Sequence, residues 1–142
     1  MHPEETATQM RKGYKALLEE ANAEIEAISP KEAASLAGDE NIVFVDLRDP
    51  RELEREGRIP GSLHAPRGML EFWIDPESPY HKPVFSSGKT FVFYCAAGWR
   101  SSLATKTAQD MGLVPVKHIE GGFSAWKEAG LPVEAYVSKH KA

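Results

Sequence analysis

One cysteine occurs in the 142 residues, and its neighbourhood could do chemistry. Cys95 ends the apolar run Phe91-Val92-Phe93-Tyr94 and is followed by Ala96-Ala97-Gly98-Trp99-Arg100-Ser101-Ser102. The run reads as a strand, and a helical pattern begins at Ser101. A sulfur at that junction faces backbone N–H groups with no intrahelical partner and the positive end of a helix dipole, so negative charge on it is favoured. A free thiol ionises only near pH ~8.5, and a helix N-terminus or an adjacent cation lowers that value. A lone cysteine is more often buried and inert. The loop that follows Cys95 decides between the two, and Cys95 is read as a nucleophile.

Within the loop, the N–H groups of Ala96 to Ser101 are the candidate donors to an anionic sulfur. Gly98 can adopt the backbone angles that curl a loop around one atom. Small Ala96 and Ala97 leave the mouth open. Arg100 has two readings, an anion-recognising fork or a salt bridge that closes the loop; arginine's fixed geometry favours the first. Trp99 forms a wall of the entrance or packs on the irregular excursion over 75–88. A Cys-loop phosphatase needs five residues between cysteine and arginine to cradle a tetrahedral phosphate. Here four intervene, and Ser101 holds the required place.

The rest of the chain must position that loop. Met10, Tyr14, Leu17, Ala21, Ile25 and Ile28 recur at spacings of three and four, which predicts an amphipathic helix over 7–28. Ser29-Pro30-Lys31-Glu32 and Asp49-Pro50-Arg51-Glu52 are helix starts, with Pro at the first helical position and Glu three after the cap. Between them, Ile42 to Leu47 is apolar except for Asp46 and shows no alternation, as in a strand covered on both faces. A short strand at 63–65, a helix at 66–74 and an irregular excursion over 75–88 follow. After strand 91–95 come a helix at 101–111 stopped by Gly112, a strand at 116–119 and a helix from Phe123 stopped by Gly130. Strands alternating with helices predict one α/β domain with a mainly parallel sheet, whose ligands bind at the carboxyl ends of strands, where Cys95 lies.

The bulk numbers exclude several classes. Hydrophobic residues make up 42% and charged residues 27%, with a net charge of −4 and no basic run, so nucleic acid is not an expected partner. No run approaches a membrane span, and the start, with Glu4 and Glu5, lacks a signal peptide's apolar core. The expectation is a cytoplasmic protein away from membranes, where a lone thiol stays reduced. One cysteine cannot form an internal disulfide. The five histidines show no paired ligand spacing, so neither metal nor cofactor is expected.

Four segments together carry a family resemblance. They are Val45-Asp46-Leu47-Arg48-Asp49-Pro50-Arg51-Glu52-Leu53-Glu54, Gly57-Arg58-Ile59-Pro60-Gly61-Ser62-Leu63-His64-Ala65-Pro66, Tyr94-Cys95-Ala96-Ala97-Gly98-Trp99-Arg100-Ser101 and Glu120-Gly121-Gly122-Phe123-Ser124-Ala125-Trp126. From about Ile28 to Val133 the chain resembles a single-domain rhodanese, a thiosulfate sulfurtransferase-like protein. The resemblance implies a three-layer α/β fold with a five-stranded, mainly parallel sheet flanked by helices, here with an extra N-terminal helix. It implies division into an N-terminal extension (1–28), a rhodanese-like domain (29–134) and a tail (135–142). It also implies that Cys95 takes a sulfane sulfur as a persulfide from thiosulfate or a persulfide donor. The acceptor would be cyanide, a thiol or a protein. Ala96, Ala97, Gly98, Trp99, Arg100 and Ser101 would form the substrate loop, with Asp46 and Arg48 a structural ion pair beside it. Many rhodaneses carry a basic residue directly after the cysteine; Ala96 and Ala97 leave persulfide or protein-borne donors open beside thiosulfate. The alternative is a non-catalytic rhodanese-like module for protein binding or regulation.

Overall fold

The computed structural model describes residues 10–137. Five strands form one sheet: β1 (Glu26–Ile28), β2 (Ile42–Asp46), β3 (Leu63–His64), β4 (Thr90–Tyr94) and β5 (Val116–Ile119). Their order is β1-β5-β4-β2-β3, and every neighbouring pair is parallel. The helices are α1 (Tyr14–Glu24), α2 (Pro30–Leu36), α3 (Pro50–Glu56), α4 (Leu70–Ile74), α5 (Trp99–Met111) and α6 (Gly122–Glu128).

The central strand β4 explains the two cores. Alternate side chains point to opposite faces. Phe91 and Phe93 pack with Leu70 and Ile74 of α4 and Ala104 and Ala108 of α5. Val92 and Tyr94 face the other way, onto Ala33 of α2 and Phe123 and Trp126 of α6. Both faces of β4 are therefore dry, as its unbroken apolar run requires. The two expected helix starts form as capping boxes, Ser29 with Glu32 and Asp49 with Glu52. Each such cap contributes about 1 kcal/mol.

The N-terminal helix is shorter than its periodicity predicts. It runs from Tyr14 to Glu24, and Glu26–Ile28 is an edge strand paired with Lys117–Ile119. Ile25 and Ile28 keep the helical spacing, but Ile25 already has extended backbone, and the pairing with β5 gives residues 26–28 a sheet partner that no local pattern shows. Residues 7–9 of the expected helix and 138–142 of the tail lie outside the described residues. The helix expected at 66–74 is split into a 3-10 turn, Arg67–Met69, and α4. In the 75–88 excursion a 3-10 turn at Pro83–Ser86 buries Phe85, which stacks on Phe91.

α1 is fastened to α5. Ser102 Oγ donates to Asn22 Oδ1 at 2.7 Å, Gln109 Nε2 donates to the Glu24 carbonyl at 2.8 Å, and Tyr14 lies against Trp99 with ring centres 5.1 Å apart. No helix among the described residues is long and apolar enough to cross a membrane.

Candidate active site

β4 delivers Cys95 to the carboxyl end of the sheet, 1% exposed. Gly98 then takes a left-handed conformation, φ +99°, and caps α5, which begins at Trp99, two residues earlier than the sequence pattern predicts. This turn brings two amides onto the sulfur: Gly98 N–H donates to Sγ at 3.2 Å and Ser101 N–H at 3.3 Å. Sγ also lies 3.5 Å from Ser101 Oγ. Of the donors expected from Ala96 to Ser101, these two amides make the hydrogen bonds to sulfur.

The loop is held from behind by α6. Phe123 N–H donates to the Cys95 carbonyl at 2.8 Å and Ser124 N–H to the Ala96 carbonyl at 3.0 Å. These bonds turn carbonyl dipoles away from the sulfur while amide dipoles face it. The approach needs glycine at Gly122: its φ is +60°, and a Cβ there would sit 2.5 Å from the Cys95 carbonyl oxygen.

Arg100 takes up the salt-bridging geometry of its two readings. Its Nη1 and Nη2 donate to Glu52 Oε2 and Oε1 at 2.8 and 2.9 Å. Oε2 also accepts from the Asp49 amide at 2.9 Å, so one carboxylate caps α3 and clasps the sulfur loop. Arg100 and, secondarily, the Asp49 amide hold the Glu52 carboxyl down at about 2, against the opposing effect of burial. Asp46 and Arg48 form a fully buried forked pair, with Nη2–Oδ2 2.7 Å, and the Arg48 guanidinium lies 4.3 Å from the centre of the Phe123 ring. Arg48 Nη2 also donates to the Gly57 carbonyl at 2.7 Å, and the Arg48 carbonyl bonds His64 Nε2 at 2.6 Å.

A family model for the rhodanese-like domain matches residues 29–129. The chain belongs to the rhodanese-like family. Relatives of this rhodanese-like chain include a protein from Allochromatium vinosum named sulfurtransferase, 31% identical over 70% of this chain and 85% of the relative. An uncharacterized protein from Synechocystis is 34% identical over 74% of this chain, which spans only about half, 54%, of that relative's length. Among solved structures, a protein of unknown function from Rhodopseudomonas palustris, described as a possible tyrosine phosphatase, is 60% identical. It superposes with a TM-score of 0.87 over 89% of this chain and 98% of its own.

Two residues of this rhodanese-like site escape a sequence reading. Glu52 is visible only as a helix-cap residue; its second role needs Arg100, 48 positions away. His118 lies mid-strand in β5, where a histidine reads as sheet filling. It is 4% exposed, and its Nδ1 lies 2.9 Å from Ser101 Oγ. Burial pushes its imidazole down to about 4, so the ring is neutral near pH 7. The ring borders a cleft of about 410 Å³ whose walls include Leu18 and Asn22 of α1 and Trp99. No three His, Cys, Asp or Glu side chains among the described residues gather as metal ligands.

Proposed function

We propose that this chain is a sulfurtransferase that moves a sulfane sulfur through a Cys95 persulfide. The donor is thiosulfate or a persulfide, and the acceptor is a thiol, cyanide or a protein-borne thiol. The observation that carries the reading is the cradle: Sγ rests on the Gly98 and Ser101 amides, while the nearest loop carbonyls are drawn away by α6. Such a cradle suits negative charge on sulfur. The Cys95 thiolate attacks the outer sulfur of the donor. An S–S bond to Sγ forms, and the donor's own S–S bond breaks with its electron pair leaving on sulfite or a thiolate. The acceptor then attacks the outer persulfide sulfur and releases Cys95 as thiolate. With one cysteine in the chain, the acceptor is external.

In this reading the substrate loop is Ala96 to Ser101, with Ala96 and Ala97 at the mouth. Asp46 and Arg48 are scaffold, residues 29–134 form the catalytic domain, and the setting is cytoplasmic. The phosphatase reading attached to the Rhodopseudomonas structure needs an arginine free to embrace a phosphate. Here Arg100 comes one residue early and its fork is on Glu52.

The test is intact mass spectrometry after treatment with thiosulfate, polysulfide or glutathione persulfide. The expected result is a gain of one sulfur, reversed by cyanide or thiol and absent in Cys95→Ser. A wild-type protein that gains no sulfur from any of these donors overturns the proposal and favours the non-catalytic module. Turnover of p-nitrophenyl phosphate without sulfur transfer favours the phosphatase.

A further inference from the structure

The Cys95 proton has little direct contact with solvent. Cys95 is enclosed, and two amides occupy its flank, so a proton leaving through the mouth would meet the incoming donor. A sideways route exists. The Cys95 S–H donates toward Ser101 Oγ at 3.5 Å, and Oγ lies 2.9 Å from His118 Nδ1. His118 Nε2 makes no hydrogen bond among the described residues, and it is not enclosed as the orphaned Arg48 Nη1 is; the ring borders the cleft under α1.

We propose that the Cys95 proton leaves along this chain, with His118 exchanging one neutral tautomer for the other. In the thiol form, S–H donates to Oγ, the serine hydroxyl donates to Nδ1, and Nε2 carries the ring proton. On ionisation the S–H proton passes to Oγ, the hydroxyl proton to Nδ1, and the Nε2 proton to solvent in the cleft. One proton departs and the S–H bonding pair stays on sulfur. The serine hydroxyl now donates to the thiolate and receives a hydrogen bond from Nδ1–H. The same chain thus stabilises the thiol before ionisation and the thiolate after it. Re-protonation runs the steps backwards.

The surroundings favour a neutral exchange over a lasting imidazolium. In register beside His118 are Ala27 of β1 and Phe93 of β4, and α1 adds Leu18 and Asn22. Glu120 is the charged group bordering the same cleft. The Lys117–Glu26 ion pair, 3.1 Å, belongs to the neighbouring register position, whose side chains point to the other face of the sheet. His118 acts through Ser101 and is a positioning residue.

The proposal rests on Cys95 being the reacting thiol, and its test needs no sulfur transfer. Nitrogen-15 NMR of histidine-labelled protein, followed through the pH range in which the ultraviolet thiolate band appears, reads the ring directly. The expected result is that the protonated nitrogen moves from Nε2 to Nδ1 in step with the band, and that Ser101→Ala abolishes the move. The same nitrogen protonated on both sides of the band, or a move that persists in Ser101→Ala, overturns the relay. As a second readout, alkylation of Cys95 by iodoacetamide at neutral pH is expected to slow about tenfold in His118→Asn; an unchanged rate overturns it. If that variant does not fold, the wild-type spectra still decide. A tautomer exchange in a protein that never forms a persulfide supports the relay and removes only the sulfurtransferase reading.

Discussion

Arg48 with Asp46 and Arg100 with Glu52 are both forked ion pairs beside the sulfur loop, yet their surroundings differ completely. In the first, neither side chain is exposed; in the second, the arginine is 41% and the glutamate 19% exposed. The buried pair has surrendered its hydration and recovers most of it through three bonds to Asp46, one to the Gly57 carbonyl, and the Phe123 ring face, with Arg48 Nη1 left without a partner among the described residues. The outer pair keeps part of its water and joins two loops, the start of α3 and the start of α5. Taking one charge from a buried pair strands the other, whereas an exposed pair is screened and exchangeable. Loss of one member should therefore cost the inner pair far more than the outer one.

The largest effect expected from this contrast is in Arg48→Leu. It leaves the Asp46 carboxylate without its partner, and a loss of about 3–5 kcal/mol is expected, read from the urea midpoint. Wild-type stability in that variant would mean the inner pair is no more essential than the outer. Glu52→Gln is the matched test outside. The amide oxygen can still accept from Asp49 N–H, so the cap survives, while the charge and one of the two bonds from Arg100 are lost. The expected loss is roughly 0.5–1 kcal/mol, smaller again in molar salt; a loss as large as that of Arg48→Leu would erase the distinction. The smallest effect is its pH counterpart. The Glu52 carboxyl ionises at about 2 in the folded protein against 4.5 as an ordinary glutamate. Its contribution is therefore complete above pH 4.5 and fades as the pH falls toward 2. The stability difference between wild type and Glu52→Gln should shrink across that window, and a difference that stays flat would show that the charge contributes nothing.

What could be read from the sequence followed how local the determinant was. Capping boxes at Ser29 and Asp49, the apolar run of β4 and the glycine turn after Cys95 are written within a few residues of where they act, and each formed. The edge strand Glu26–Ile28 was hidden because its partner lies some ninety residues on, and its isoleucines imitate a helix face. Glu52 and His118 were hidden for the same reason. Each has an ordinary local role, helix cap or strand filler, and acquires a second one from a residue that only the fold brings near. Arg100 shows the intermediate case: both of its readings were legible, and choosing the salt-bridging geometry required knowing where Glu52 would stand.

The two bonds from α6 to the Cys95 and Ala96 carbonyls use main chain on both sides. Any residue with a peptide N–H and carbonyl could make them, so the loop's shape does not depend on which side chains stand at positions 96 and 97. Ala97 is exposed and Ala96 half-exposed. These two positions can drift through polar, basic or bulky residues while the sulfur stays where it is. A lineage carrying this loop can thus alter what meets the Cys95 sulfur at the mouth by point substitution, without rebuilding the spine that holds it.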